Sequence, residues 1–179
     1  MSEGKEQGLT IGRTTLEISP ALEQDRERVE NFLKKMHQSP APSTIKVNKF
    51  AGNSSYLGVS QLEMEIDKFY LGIWNFIPVG QGSQVLINSV TYDGILEVFH
   101  PVLGIWIKRA GTGAVPIQIV KETGLPQDKS IQKAVGAAKS MAFKNACKSL
   151  GKRFGRDLNR VAGDEAEYER FYTQTPVNE

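Results

Sequence analysis

The chain has 179 residues, 40% hydrophobic and 23% charged, with a formal net charge of +2. These values fit one soluble globular domain with a real core and exclude a chain that is basic throughout. Cys147 is the only cysteine, which excludes an intrachain disulfide and a cysteine-rich zinc site and points to a reducing compartment.

Residues 1–8 are small, polar and charged and read as disordered. No apolar run there reads as a secretory signal, and no segment is long and apolar enough to span a bilayer. A short strand is expected over 9–18. Ser19 as N-cap and Pro20 at the first helical position then start a helix. Its apolar stripe is Leu22, Val29, Phe32, Leu33 and Met36. Its acids and bases are mixed, so it offers no uniform basic face and is expected to pack on its own domain or on a neighbouring subunit. Ser39-Pro40-Ala41-Pro42-Ser43 reads as a linker. The expected divisions are an appendage over 1–43, a main domain over 44–162 and an acidic tail over 163–179.

In the main domain, Ser60 and Glu63 have capping-box spacing. Leu62, Ile66, Phe69 and Ile73 follow at helical spacing. Segments near 74–78, 84–92, 95–99 and 105–109 are rich in Val, Ile, Phe, Trp and Tyr and read as strands. Asp93-Gly94 signals a tight turn between two of them, and 100–104 the next. This is an antiparallel meander. A glycine-rich stretch at 110–114 and a loop at 124–128 follow, with Asp128 placed to cap the next helix. The class is α+β: an antiparallel β-meander packed against a long basic helix, a β-β-β-α core with an N-terminal helical appendage.

That helix is the most informative part. Residues 129–160 hold nine of the 22 Lys and Arg residues and one acid, Asp157. At about 100° per residue, Lys129, Lys133, Ser140, Lys144 and Lys148 share one face, which Gly151 and Gly155 continue. Ile131, Val135, Ala138, Ala142 and Ala146 fall opposite. One face can bury while the other shows ammonium groups without acidic partners, as a polyanion requires. A solvated charged face is the plainer alternative.

Signs of catalysis are weak. Gly111-Thr112-Gly113 lacks the Gly-Lys-Ser/Thr ending and following helix of a phosphate loop and reads as a turn. Gly151-Lys152-Arg153-Phe154-Gly155 follows a helix and cannot use its N-terminal dipole. Glu63, Glu65 and Asp67 could hold a nuclease metal but read first as a cap and a helix surface. His37 and His100 lack ligand spacing, and no triad can be built from them. Cys147 as a nucleophile has no supporting partner. No enzyme, cofactor or metal is expected. Phe50, Tyr56, Tyr92, Trp106, Phe143 and Phe154 could stack on bases, although each also reads as core, Trp106 least so.

The run 146–155, ACKSLGKRFG, resembles the end of the core helix in the Rad fifty-two recombination family. That pattern is basic, Ser, apolar, Gly, two variable residues, apolar, Gly. Met141-Ala142-Phe143-Lys144-Asn145 looks like the same helix, and Tyr70-Leu71-Gly72-Ile73-Trp74 is similar to the end of the family's first helix. The resemblance covers about residues 46–159. Chain size and the added helix look more like phage single-strand annealing proteins. It implies ATP-independent annealing of complementary single strands by a ring or filament, with DNA backbone in a basic groove and bases exposed. Lys144 and Lys148 match basic positions on the family's helix, and Lys49 a groove residue before the first helix. The family's basic residue after the place of Lys144 is Asn145 here.

The expected DNA-binding residues are therefore Lys49, Lys133, Lys144, Lys148, Lys152, Arg153 and Arg156. The expected partners are single-stranded DNA and its annealed duplex, further copies of the chain, and a partner exonuclease or host single-stranded DNA-binding protein. The expected setting is the cytoplasm, of a bacterial host if phage-encoded. Two alternatives stand beside annealing: a sequence-neutral single-stranded DNA-binding protein, and a metal-dependent nuclease using Glu63, Glu65 and Asp67.

Overall fold

The computed structural model describes residues 20–49 and 52–160, with side chains from residue 24 onward. The expectations for 1–8, 9–18, Ser19, Phe50 and the acidic tail lie outside the described residues, as does the side chain of Leu22. The order is α1 (Pro20–Met36), β1 (Ile45–Asn48), β2 (Ser54–Leu57), α2 (Val59–Tyr70), β3 (Trp74–Val85), β4 (Ser89–His100), β5 (Ile105–Pro116) and α3 (Ser130–Lys148). Strands β3-β4-β5 form an antiparallel meander, and β1-β2 a separate hairpin. The class is α+β with α3 packed on the meander, as the sequence predicts. No described helix is long and apolar enough to cross a membrane.

Alternation in β4 decides which sheet face is covered. Val90, Tyr92, Gly94, Leu96, Val98 and His100 are all buried, while the residues between them are half-buried. Leu62, Ile66 and Tyr70 recur every fourth residue on α2 and bury on the same core. Phe143, Cys147 and Phe154 complete it, and Met36 closes it from the end of α1. The α1 helix thus packs on its own domain. Phe32 lies edge-on to Phe69 and Tyr70 and 4.4 Å from the His100 ring.

The sheet holds three long strands, not four short segments. Asp93-Gly94 is not a turn but lies inside β4. An added Cβ at Gly94 would meet Phe76 Cζ at 2.4 Å, so the missing side chain makes room for that ring. Asp93 accepts a 2.6 Å hydrogen bond from Thr112 Oγ1 on β5. The chain turns instead at 86–88, where the apolar Ile87 is fully exposed. Gly111-Thr112-Gly113 is likewise strand, within β5. Helix α3 lies directly on it: a Cβ at Gly111 would stand 2.2 Å from the Ala142 carbonyl oxygen, and one at Gly113 2.2 Å from that of Ala138.

The buried line of α3 is Ala134, Ala138, Ala142 and Ala146, joined by Phe143 and Cys147. This corrects the expected stripe at its start, because Ile131 is 40% exposed. The expected caps also differ. Gly58 precedes α2, so Ser60 falls inside its first turn and Glu63 beyond it, and no described side chain caps it. Lys129, in the left-handed region at φ 58°, precedes α3 in place of Asp128.

His100 ends β4 with its Nδ1 accepting from the Val102 and Leu103 amides at 3.3 and 3.1 Å. Burial holds its pKa below the ordinary 6.5. Burial lowers that of His37 as well, aided by repulsion from Arg156. The unfolded chain therefore takes up protons first, and the stability from neutral histidine, present above about pH 6.5, is lost as pH falls through the lower folded value. We expect unfolding free energy, measured in urea, to fall from pH 7 to pH 5. His100→Asn keeps an acceptor that does not titrate and should flatten that fall. An equally steep fall in the variant would contradict the assignment.

Candidate nucleic-acid interface

The β1-β2 hairpin turns through Gly52 and Asn53, both at positive φ, of 62° and 59°. Its register sets Ile45 opposite Leu57 and Lys46 opposite Tyr56. Paired residues share a face, so the hairpin divides cleanly. Leu57 buries in the core and Ile45 packs against it. Tyr56 meets α3 instead: Lys144 Nζ stands 4.9 Å from the centre of its ring, within cation–π range.

Lys46, Lys144 and Lys148 form one cluster. Lys144 is half-buried, and its pKa is lowered by burial, by Lys148 and by Lys46. Lys148 Nζ reaches Asn145 Oδ1 at 3.5 Å, while Asn145 Nδ2 donates to the Thr112 carbonyl at 2.8 Å. Asn145 thus ties α3 to β5 and steadies Lys148. Among the described residues no carboxylate pairs with any of the three lysines. Like charges held together without counterions favour an anion, since an arriving phosphate relieves their repulsion.

The expected residues divide around this cluster. Lys144 and Lys148 belong to it. Lys133 is exposed on the same face of α3, eleven residues or about 16 Å before Lys144. Lys49, expected as a groove residue before the first helix, is exposed in the hairpin turn, and the hairpin lysine whose charge acts on Lys144 is Lys46. Lys152 is half-buried at the start of a 3-10 turn over Lys152–Phe154.

Arg153 and Arg156 serve the fold. Arg153 Nε and its NH2 nitrogen donate to Glu65 Oε2 and Oε1 at 2.8 and 3.2 Å, and both side chains are less than one-fifth exposed. Arg156 donates to the carbonyls of Lys148 and Ser149 at 3.2 and 3.0 Å, satisfying the C-terminal end of α3. Arg153→Ala leaves Glu65 charged and unpaired in a mostly buried site and should cost about 3 kcal/mol. Its salt slope for DNA should match the parent's. A slope that falls with no loss of stability would return Arg153 to the interface.

The glycines expected to continue the basic line do not. Gly151 is buried against α1, where a Cβ would stand 2.8 Å from the Met36 carbonyl oxygen. Gly155 is also buried, at φ 84°, and ends the 3-10 turn. Harm from Gly151→Val would therefore come from displacing α1. Of the carboxylates considered for a metal, Glu65 holds Arg153, and Asp67 accepts from Trp74 Nε1 at 2.7 Å. Among the described residues no group of three or more His, Cys, Asp or Glu could hold a metal ion. Burial pushes the Cys147 thiol far above its ordinary range, away from nucleophilic thiolate chemistry. Tyr92, Phe143 and Phe154 are core residues, and Trp106 is half exposed on the sheet face away from α3.

Reading from sequence missed Lys46, and it considered Tyr56 for stacking on bases or for the core, not as the ring beneath Lys144. Once the Gly52-Asn53 turn is seen, the pairing of 46 with 56 follows from the register. No protein-family model matches this sequence, and no curated protein matches it.

Proposed function

We propose that the chain binds single-stranded DNA through its phosphates and anneals complementary strands without nucleotide hydrolysis, as a homo-oligomer in recombination or repair. The observation that carries this reading is the cluster of Lys46, Lys144 and Lys148 at the joint of hairpin and helix, without acidic partners among the described residues. Annealing requires that the repulsion between two phosphate backbones falls while the pairing edges stay open. Lysines do the first by releasing counterions. Contacts to phosphate alone do the second, since they leave bases unread. Lys144 over Tyr56 also argues against that ring stacking on a base, so backbone contact is the better account. The resemblance to Rad fifty-two-like annealing proteins points the same way, and with it we propose a cytoplasmic setting and a partner exonuclease or host single-stranded DNA-binding protein. The outer edges of β3 and β5 pair with no described strand. A neighbouring copy could cover them and line up successive clusters, adding many weak contacts.

A strand-annealing assay with and without Mg²⁺ and ATP tests the proposal. Annealing in the absence of both is the expected result. Binding that blocks annealing would mean a protective single-stranded DNA-binding protein, and strand loss only with metal would mean a nuclease. Light scattering showing a monomer on DNA at full annealing would overturn the assembly.

A further inference from the structure

The chain leaves the described fold beside the basic cluster. Asn159 Oδ1 accepts from the Ser55 amide at 2.7 Å, and its Nδ2 donates to the Ser55 carbonyl at 2.8 Å. These two bonds pin residue 159 to β2, one residue from Tyr56, whose ring carries Lys144. Arg160 is held by Asp157 at 3.1 Å. The sequence then runs Val161-Ala162-Gly163-Asp164-Glu165-Ala166-Glu167-Tyr168-Glu169. Four carboxylates thus fall within six residues, and no base stands among them. Asp164 is four residues past Arg160, a reach of up to about 14 Å, and Glu169 is nine past it, up to about 30 Å.

We propose that the acidic stretch 164–169 docks on the Lys46, Lys144 and Lys148 cluster of its own chain and competes there with nucleic acid. This rests on the assignment of that cluster as the polyanion site. Three lysines without acidic partners among the described residues stand where the chain emerges, and the next charges to emerge are acidic. A short tether gives a linked segment an effective concentration near the millimolar range. Weak carboxylate contacts then suffice to hold it, and phosphates, joined in long arrays, can displace it. Loose or short strands would be refused and long ones admitted. Salt would weaken both the docking and its rival.

The test compares the full chain with a variant carrying Asp164→Asn, Glu165→Gln, Glu167→Gln and Glu169→Gln. A control of equal charge carries Glu23→Gln, Asp25→Asn, Glu27→Gln and Glu30→Gln on α1. The first readout needs no DNA: acetylation rates of Lys46, Lys144 and Lys148 at low salt, followed by mass spectrometry. Severalfold faster labelling in the first variant than in parent and control is expected, with the gap closing at high salt. Equal rates overturn the docking. Protection that grows with protein concentration overturns docking within one chain. The second readout is affinity for an oligothymidylate at low salt, expected to rise about tenfold in the first variant and much less in the control. Equal gains in both variants mean a general charge effect and overturn the competition. If no variant binds DNA, the proposed function fails, while the labelling rates still decide the docking.

Discussion

Gly113→Val is expected to lower the melting temperature by about 10 °C or to prevent folding. An added Cβ would stand 2.2 Å from the Ala138 carbonyl oxygen and 2.6 Å from the Ala142 amide nitrogen. Those are backbone atoms of α3, so no side-chain rotation relieves the clash, and the helix must lift from β5. Lifting it opens the cluster of Val90, Tyr92, Ala134, Ala138 and Ala142. A loss of about 4 kcal/mol is the scale of such core disruptions, and each kcal/mol moves the midpoint by about 2–4 °C in a chain of this size. Gly136→Ala is the contrast. Its Cβ would meet nothing within 4 Å on the same helix, and alanine should add about 0.5–1 kcal/mol. Thermal melts of both variants check the pair. A Gly113→Val protein as stable as the parent would show that α3 does not lie where it is described.

Removing the basic cluster should have the second large effect. Lys46→Ala, Lys144→Ala and Lys148→Ala together should lower the slope of log affinity against log salt by about 2, at about 0.7 for each single-strand phosphate contact. The fold should hold, because none of the three lies in the core. Lys46→Ala alone is the sharper measurement, since only the folded hairpin brings Lys46 to α3. Titrations of an oligothymidylate over a salt series, beside circular dichroism, give both readings. An unchanged slope in a folded triple variant would sink the phosphate-contact reading.

The fold class was legible because its signals are local. Valine, isoleucine and aromatic residues mark the strands, and Leu62 and Ile66 mark one face of α2. What failed was the reading of glycine. In Asp93-Gly94 and Gly111-Thr112-Gly113, glycine records close approach by Phe76 and by α3, not a change of direction. Spacing along one strand carries no trace of what presses on it from another element. The site was half legible for the same reason. Lys144 and Lys148 share a helix face, so periodicity pairs them. Lys46 and Tyr56 join them across a hairpin of two four-residue strands. Arg153 and Arg156 look alike in sequence, but Glu65 and the end of α3 claim them.

A two-stranded ribbon is marginal in water by itself, and β1-β2 pairs with no third described strand. Its anchors are the Leu57 and Ile45 contacts to the core and the clasp of Asn159 on Ser55. The charge cluster is therefore only as durable as that ribbon: when it opens, Lys46 departs and the field at Lys144 disperses. Linkage makes the relation reciprocal. Whatever anion bridges Lys46 and Lys144 must close the ribbon by the free energy that closure lends to binding. Amide hydrogens along 45–57 would then exchange more slowly in step with occupancy, and a solvent clock on this one small ribbon would read the loading of the site.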